Sequence, residues 1–501
     1  MLPLLTSTQI READAYTIAH EPIASIDLME RAAKAFTGWF INRFPDKHRI
    51  ISVYCGTGNN GGDGLAIARM LNDHQYKTIN VIVTRFSDTS TVDFNANLER
   101  LKKTNINLSE THPGSGFPAE EGEVIIDALL GTGLNKPLEG DYKRLVDHLN
   151  SLHKTVVAVD VPTGFFADGE IPHGAGILKA DLVITFQQPK INFLLPESGP
   201  YIKCHEAVNI GIDESFVQTL HSPYLAVEEK DIRKMLKARH RFSNKGTYGH
   251  TLIVAGQPET MGAALLSASA CVYAGSGLTT ACVPQSGLTA LNSYMPEIMA
   301  VVRHDMQLPK IEWEKFNAIG IGPGLGKDEL AVELITDVLT NYKKPLVIDA
   351  DALNLLSVHR ELWRSIPANS ILTPHMKEFD RLFGDHDNWW QRIQTGVQKA
   401  KEHAVCILLK NDYTIIITPS GKVYFNTTSN PAMGVGGMGD ALTGIISALL
   451  AQQYSSEEAC ILGAYLHGKA GDELALPDRM NVVLPSQVAA RVPFTIAKLM
   501  A

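Results

Sequence analysis

Asn430–Leu450 reads NPAMGVGGMGDALTGIISALL, with glycines at 434, 436, 437 and 439, Asp440 directly after them, and an apolar helical run from Ala441. Glycine takes positive φ and lets the backbone approach a ligand closely. A helix over the apolar run puts Gly437–Asp440 at its N-terminus, where free N–H groups and partial positive charge suit phosphate oxygens. Asp440 does not suit a phosphate contact there, because two anions repel. It suits a base that takes the proton from a hydroxyl attacking phosphorus. The plainer alternative is a Gly-rich turn with Asp as helix cap.

At 501 residues the chain exceeds one ordinary domain, and two or three are expected. The hydrophobic fraction of 45% and charged fraction of 20% are those of a globular protein in water. A formal net charge of −9 argues against a nucleic-acid surface. The cysteines at 55, 204, 271, 282, 406 and 460 form no C-x-x-C pair, which fits a reducing, cytoplasmic setting. The N-terminus lacks the basic and apolar regions of a signal peptide, and no membrane span is expected.

Thr8–Phe44 is helical in character and reads adequately as a packing helix pair. Ile50–Tyr54 then reads as a buried strand, Gly56–Gly64 as a glycine-rich turn and Leu65–Leu71 as a helix. Gly56, Gly58 and Gly61 satisfy G-x-G-x-x-G, but the second strand, Thr78–Val83, ends in Thr84–Arg85–Phe86 without a carboxylate. An ordinary NAD dehydrogenase is therefore disfavoured. Strands ending near Asp127 and Asp160 should bring both acids to the glycine loop, at the carboxyl edge of a doubly wound sheet. Crowded carboxylates need a cation or a proton. Strands Leu182–Phe186 and Ala207–Ile210 complete the sheet, and periodicity fades over Asp213–Tyr224. The expected domains are 1–215 and 225–501.

The second half alternates strands and helices, which implies a mostly parallel α/β sheet with right-handed crossovers. Gly322–Gly326, Asp349 and Asp351, Thr373–His375 and Lys410–Thr414 all follow strand-like runs. Asp349 and Asp351 either hold Mg²⁺ or shape their loop. His375 is either a ligand contact or a helix cap.

Two resemblances follow from these strings. Asn59–Gly64, NNGGDG, resembles the phosphate loop of NAD(P)H-hydrate epimerases, the YjeF N-terminal family. The ordered set from Lys245–Gly249 through GPGLG, DADALN, TPHMKE and KNDYT to GGMGD resembles the ribokinase-like ADP/ATP-dependent NAD(P)H-hydrate dehydratases. In this chain Met438 replaces a small polar residue and Asn411 a glycine. If that position has positive φ, Asn is the next most tolerant residue.

The resemblances imply two doubly wound α/β domains, Rossmann-like and then ribokinase-like. In the first, Asn59, Asn60, Gly61, Gly62, Asp63, Gly131, Thr132, Gly133, Leu134, Asn135, Lys136, Pro137, Tyr142 and Asp160 would bind the hydrated dinucleotide, with Asp160 also catalytic. Asn60, Asp127 and Thr163 would hold K⁺, an oxygen-only set that suits a hard cation. In the second, Ala263, Gly324, His375 and Asp440 would bind substrate, Asp440 being catalytic. Lys410, Asn411, Asp412, Tyr413, Thr414 and Gly439 would bind ADP, accompanied by Mg²⁺.

The implied function is repair of NADHX and NADPHX, the hydrated forms of NADH and NADPH. The first domain would interconvert the R and S epimers, and the second would dehydrate the S form. A homo-oligomer is expected, with neither nucleic acid nor membrane as partner. The competing readings are a vitamin or sugar kinase with a Rossmann-like regulatory domain, and a non-catalytic dinucleotide sensor.

Overall fold

Short runs rich in Val and Ile, such as Ile50–Cys55, Val124–Ala128 and Thr155–Val159, are buried nearly throughout. Strands covered on both faces read in this way, and they pair in parallel here. The computed structural model describes residues 1–117, 119–134, 136–304 and 307–501. Two units result. One holds Pro3–Ser222 with Asn388–Trp390, and the other holds Met1–Leu2, Pro223–Asp387 and Gln391–Ala501.

The chain begins with β1 (Leu2–Pro3), α1 (Ser7–His20), α2 (Ser25–Arg43), β2 (Ile50–Cys55), α3 (Asn59–Asp73) and β3 (Thr78–Thr84). It continues through α4 (Val92–Leu101), β4 (Asn107–Thr111), β5 (Val124–Ala128), α5 (Gly140–Ser151), β6 (Thr155–Val159), β7 (Leu182–Phe186), β8 (His205–Val208) and α6 (Glu214–Thr219). The sheet order is β4-β3-β2-β5-β6-β7-β8, parallel throughout. Chain order reverses between β2 and β5, the point at which open α/β sheets bind ligands.

The second unit runs through β9 (Tyr224–Val227), α7 (Glu229–Met235), β10 (His250–Val254), α8 (Met261–Tyr273), β11 (Leu278–Pro284), α9 (Leu288–Tyr294) and β12 (Met299–Arg303). Then come β13 (Ala318–Ile321), α10 (Glu329–Asn341), β14 (Val347–Ile348), α11 (Ala350–Val358), β15 (Ile371–Leu372), α12 (Met376–Phe383) and α13 (Trp389–His403). The chain closes with β16 (Cys406–Leu409), β17 (Ile415–Ile417), β18 (Val423–Asn426), α14 (Met438–Ala451), α15 (Ser456–Asp478) and α16 (Pro485–Met500). The order is β1-β9-β18-β17-β16-β15-β14-β13-β10-β11-β12, parallel from β16 to β12 and between β18 and β9, and antiparallel where β17 pairs with β16 and β18. Helix α14 crosses α8 beneath this sheet, with Gly444 so close that an added Cβ would stand 2.0 Å from the Ser267 carbonyl oxygen.

The structure corrects the sequence reading at NNGGDG. The helix begins at Asn59, inside the motif, and the turn is only Gly56–Gly58. The reason is packing. A Cβ on Gly61 would lie 1.8 Å from the Gly56 carbonyl oxygen, and one on Gly62 would lie 2.7 Å from Met29 Sδ. These glycines let the first turn of α3 fold onto its own loop and onto α2. A further difference is α6, which lies within the stretch read as aperiodic.

Gly61→Ala is expected to destabilise the first unit by at least the ~1–3 kcal/mol of ordinary overpacking, because rigid backbone stands in the way. Gly38→Ala, mid-helix in α2 with nothing within 4 Å of the added Cβ, should instead stabilise it by up to ~1 kcal/mol. Denaturant unfolding of both variants checks the contrast.

Candidate active sites

In the first unit, the carboxyl ends of β2, β5, β6 and β7 surround a cavity of about 500 Å³. Asp160 follows β6 with φ 65, a left-handed conformation that L-residues rarely hold. Its Oδ1 accepts from the Phe186 N–H at 2.9 Å, from Thr185 Oγ1 at 3.1 Å and from the buried Lys190 ammonium at 2.8 Å. Lys190 also donates to the Phe186 carbonyl at 3.3 Å. Burial and the neighbouring Asp160 push the Asp14 carboxyl up to about 6, against the pull of Lys190. Burial, then Asp160, Asp14 and Asp93, hold the Asp63 carboxyl well above its usual range.

Below this cavity Asp127 is fully buried. It accepts from the Thr163 N–H and hydroxyl, both at 2.7 Å, and from the Leu129 N–H at 3.2 Å. Burial outweighs these bonds and pushes its carboxyl up to about 6. The Asn60 side chain lies against Gly131, and its amide nitrogen is buried without a hydrogen-bond partner among the described residues. The two ends of a side-chain amide can exchange by a simple flip. A buried carboxylate, a threonine oxygen and an amide with an open position make a donor set that fits a hard monovalent cation.

Of the residues singled out by sequence, Asn59, Asn60, Asp63, Gly131–Leu134 and Asp160 line this cavity. Gly61 and Gly62 do not; they serve the packing described above. Lys136 and Pro137 are exposed away from the lining. Tyr142 sits edge-on to Phe86 at 5.1 Å, with its hydroxyl bonded to Thr84. Asn135 lies outside the described residues. Sequence reading missed Arg11, Asp14 and Lys190, all three in the lining. The signal for Asp14 was an acid on the same helical face as Ile10, Ala13 and Thr17. For Lys190 it was a lone cation between a strand and the apolar run INFLL.

In the second unit, Gly437 stands at the N-cap of α14 with φ 94, where its bare Cα sits over Leu266. Asp440 lies in the first turn of α14, half-buried. Burial and the nearby Asp349 and Asp351 push its carboxyl up to about 7, while Lys410 pulls it down. Lys410 lies beneath Gly439, 3.2 Å from where a Cβ there would stand. Its ammonium contacts Asp349 at 2.8 Å. Burial alone would lower the Lys410 ammonium, but Asp349 and Glu378 outweigh it and hold the group above its usual value.

Asp349 completes its contacts by accepting from Thr443 Oγ1 at 2.7 Å. Asp351 accepts from the Gly326 N–H at 3.0 Å. Both acids therefore shape the site through protein contacts. His375 caps α12, its Nδ1 accepting from the N–H groups of Lys377 and Glu378 at 3.1 and 3.3 Å. Burial and Lys410 keep this imidazole below its usual pKa, as an accepting Nδ1 requires. A main-chain bridge places His375 beside Lys410. Gly324 takes φ 57 over Thr260, whose hydroxyl bonds the Gly324 carbonyl at 2.7 Å, and Ala263 follows in the first turn of α8.

Next to Asp440 opens a cavity of about 320 Å³ lined by Lys410, Asn411, Asp412, Thr414 and Gly439, with Tyr413 outside the lining. Met438 and Leu442 supply an apolar wall. Asn411 is not among the positive-φ residues, so its position does not require glycine. His467, which sequence reading did not single out, faces this cavity with Nε2 buried and unpartnered among the described residues. Among the described residues, no three His, Cys, Asp or Glu side chains cluster as a metal cage, and no helix is long and apolar enough to cross a membrane.

Comparison with known proteins gives two family matches. Residues 251–493 match the family described as NAD(P)H-hydrate dehydratase, and residues 25–192 match that described as YjeF-related protein N-terminus. The bifunctional NAD(P)H-hydrate repair enzyme of Moorella thermoacetica is 32% identical, covering 99% of this chain and 97% of its own length. Its Coxiella burnetii counterpart is 33% identical, covering 95% of each. A solved structure of ADP/ATP-dependent NAD(P)H-hydrate dehydratase from Bacillus subtilis, co-crystallised with ATP and Mg²⁺, is 28% identical. It covers 54% of this chain and 97% of that one, at a TM-score of 0.47.

Only ionised Asp440 can accept a proton, so a reaction that uses it as base should rise with pH through about 7. Below that point the rate should fall about tenfold per pH unit. Lys410 holds the carboxyl down, so Lys410→Met should move the limb to higher pH. A pH–rate profile of both proteins reads the direction of the move.

Proposed function

This chain belongs to the bifunctional NAD(P)H-hydrate repair enzymes, and on that premise we propose how its two sites divide the work. The first unit interconverts the R and S epimers of NAD(P)HX, and the second dehydrates the S epimer while consuming a nucleotide. The observation that carries the second assignment is Asp440: a carboxyl raised to about 7, in the first turn of α14, beside Lys410.

Hydroxide is a poor leaving group and phosphate a good one. Asp440 takes the proton of the C6 hydroxyl, and the oxygen attacks the terminal phosphoryl group. The N–H groups at the start of α14 and the Lys410 ammonium face the developing charge, the arrangement by which a preorganised site stabilises a transition state. Phosphate then leaves, driven by the ring nitrogen lone pair, and the 5,6 double bond returns. The reading takes ADP as donor and AMP as product, with the cavity beside Gly439 for the nucleotide. Mg²⁺ bound with the nucleotide supplies further positive charge to the phosphate oxygens.

In the first unit, Asn60, Asp127 and Thr163 would hold a potassium ion. The Asn60 amide, unpartnered among the described residues, and the buried Asp127, held by Thr163 and Leu129, support that reading. Such an ion supplies fixed positive charge next to the Leu129–Leu134 segment. Substrate contacts then come from Asn59, Asp63, Gly131–Leu134 and Asp160.

Mixed NADHX epimers incubated with the protein, ADP and Mg²⁺ should return completely to NADH by absorbance, with release of free phosphate. A stable phosphorylated product would instead favour a kinase. Asp440→Asn should cut dehydration by about 10²–10⁴-fold yet still equilibrate the epimers on a chromatogram. Dehydration within a few-fold of wild type would remove Asp440 from the base role.

A further inference from the structure

We propose that Asp14, on α1, is the acid that protonates the C6 hydroxyl of the hydrated nicotinamide in the first unit, with Asp160 as the opposing base. The inference rests on the reading of that unit as an epimerase. Helix α1 precedes residues 25–192, the segment matched by the family, yet it faces the cavity with Asp14 and Arg11.

Two acids there differ in how they are held. Asp160 is fixed, its Oδ1 saturated by Lys190, Thr185 and the Phe186 N–H, while Oδ2 receives no bond among the described residues. Asp14 has no hydrogen-bond partner among the described residues and opens onto the same cavity as Asp63, Asp160 and Lys190. Asp14 is pushed up to about 6, and burial and the neighbouring acids also raise Asp63, so the cluster can hold a proton near neutrality. The charges facing Asp14 are Asp160 and Lys190, from the loops after β6 and β7, Asp63 from α3, and Arg11 from its own helix.

The chemistry selects this arrangement. C6 carries a hydroxyl and is bonded to the ring nitrogen, so inversion requires cleavage of one of those two bonds. Once Asp14 has given up its proton, its carboxylate adds to that of Asp160, which already engages Lys190, and this negative charge favours a cationic intermediate over a neutral, ring-opened aldehyde. The proton of Asp14 passes to the hydroxyl oxygen. The C6–O bond breaks, its electron pair leaves with water, and the nitrogen lone pair forms C=N⁺. Water then adds to the opposite face, and its proton passes to Asp160. Exchange among the carboxyl groups returns that proton to Asp14, and no oxidant or reductant is needed.

The test uses the full chain. Asp14→Asn should lower epimerisation by about 100-fold or more, as expected for loss of a general acid. It should leave unchanged both NADPHX affinity and dehydration of pure S epimer, the latter reporting an intact chain. Asp14→Glu, which keeps the acid, should recover much of the lost rate. In H₂¹⁸O each inversion by wild type should place one solvent oxygen at C6. Epimerisation by Asp14→Asn within threefold of wild type overturns the assignment. So does loss of binding together with rate, which would make Asp14 structural, and so does inversion that retains the original oxygen. Wild-type protein that fails to equilibrate the epimers at all overturns the epimerase reading itself, before any variant is compared.

Discussion

One buried carboxylate organises the second unit. Asp349 is 1% exposed, and its two oxygens hold the Lys410 ammonium and the Thr443 hydroxyl. An unpaired charge at that depth costs several kcal/mol even after relaxation. The pairing therefore fixes the ends of β14 and β16 and the first turns of α14 relative to one another. Gly322 lets its loop close over the Asp349 carbonyl, at a spacing that any Cβ would forbid. The position of Lys410 under Gly439, and so the field felt by Asp440, depends on this contact.

The first unit uses the same physical device with different elements. Lys190 and Asp160 form the anchored pair, and Asp14 is the carboxyl without a hydrogen-bond partner among the described residues. In each unit a lysine is committed to one acid while a second acid nearby, outside that pairing, is raised towards neutrality. The committed pair holds the geometry. The uncommitted acid is the group whose protonation can change at modest cost. Perturbed carboxyls of this kind collect where proton transfer takes place.

Much of this was legible in the sequence because glycine leaves a sharp trace. GGMGD and NNGGDG mark places where a side chain would collide with a neighbour, Gly437 with Leu266 and Gly61 with the Gly56 carbonyl, and few other sequences tolerate them. The strand-end acids Asp127, Asp160 and Asp349 were visible because apolar runs stop at them. The sequence did not reveal what those acids touch. Whether Asp349 binds a metal or a lysine depends on Lys410, 61 residues later. Asp14 looked like one more polar residue on a packing helix, since nothing local says that its helix borders a cavity. The helix start at Asn59 was missed because glycine suggests a turn, whereas here its missing side chain makes room for a helix.

The backbone at the end of β6 shows why an acid stands at position 160 and a glycine does not. Asp160 has φ 65, and Ala350, directly after Asp349, has φ 49. A left-handed L-residue costs roughly 1–2 kcal/mol. Glycine would remove the strain at Asp160 but also remove three acceptor contacts, among them an ammonium at 2.8 Å. Hydrogen bonds to charged groups contribute about 1.5–3 kcal/mol each, so the contacts outweigh the strain. Removing the carboxylate alone would also leave Lys190 as a buried cation without its acid. The turn is held in an unfavourable conformation by the charge network it serves, and the same network makes the carboxylate available at the cavity edge.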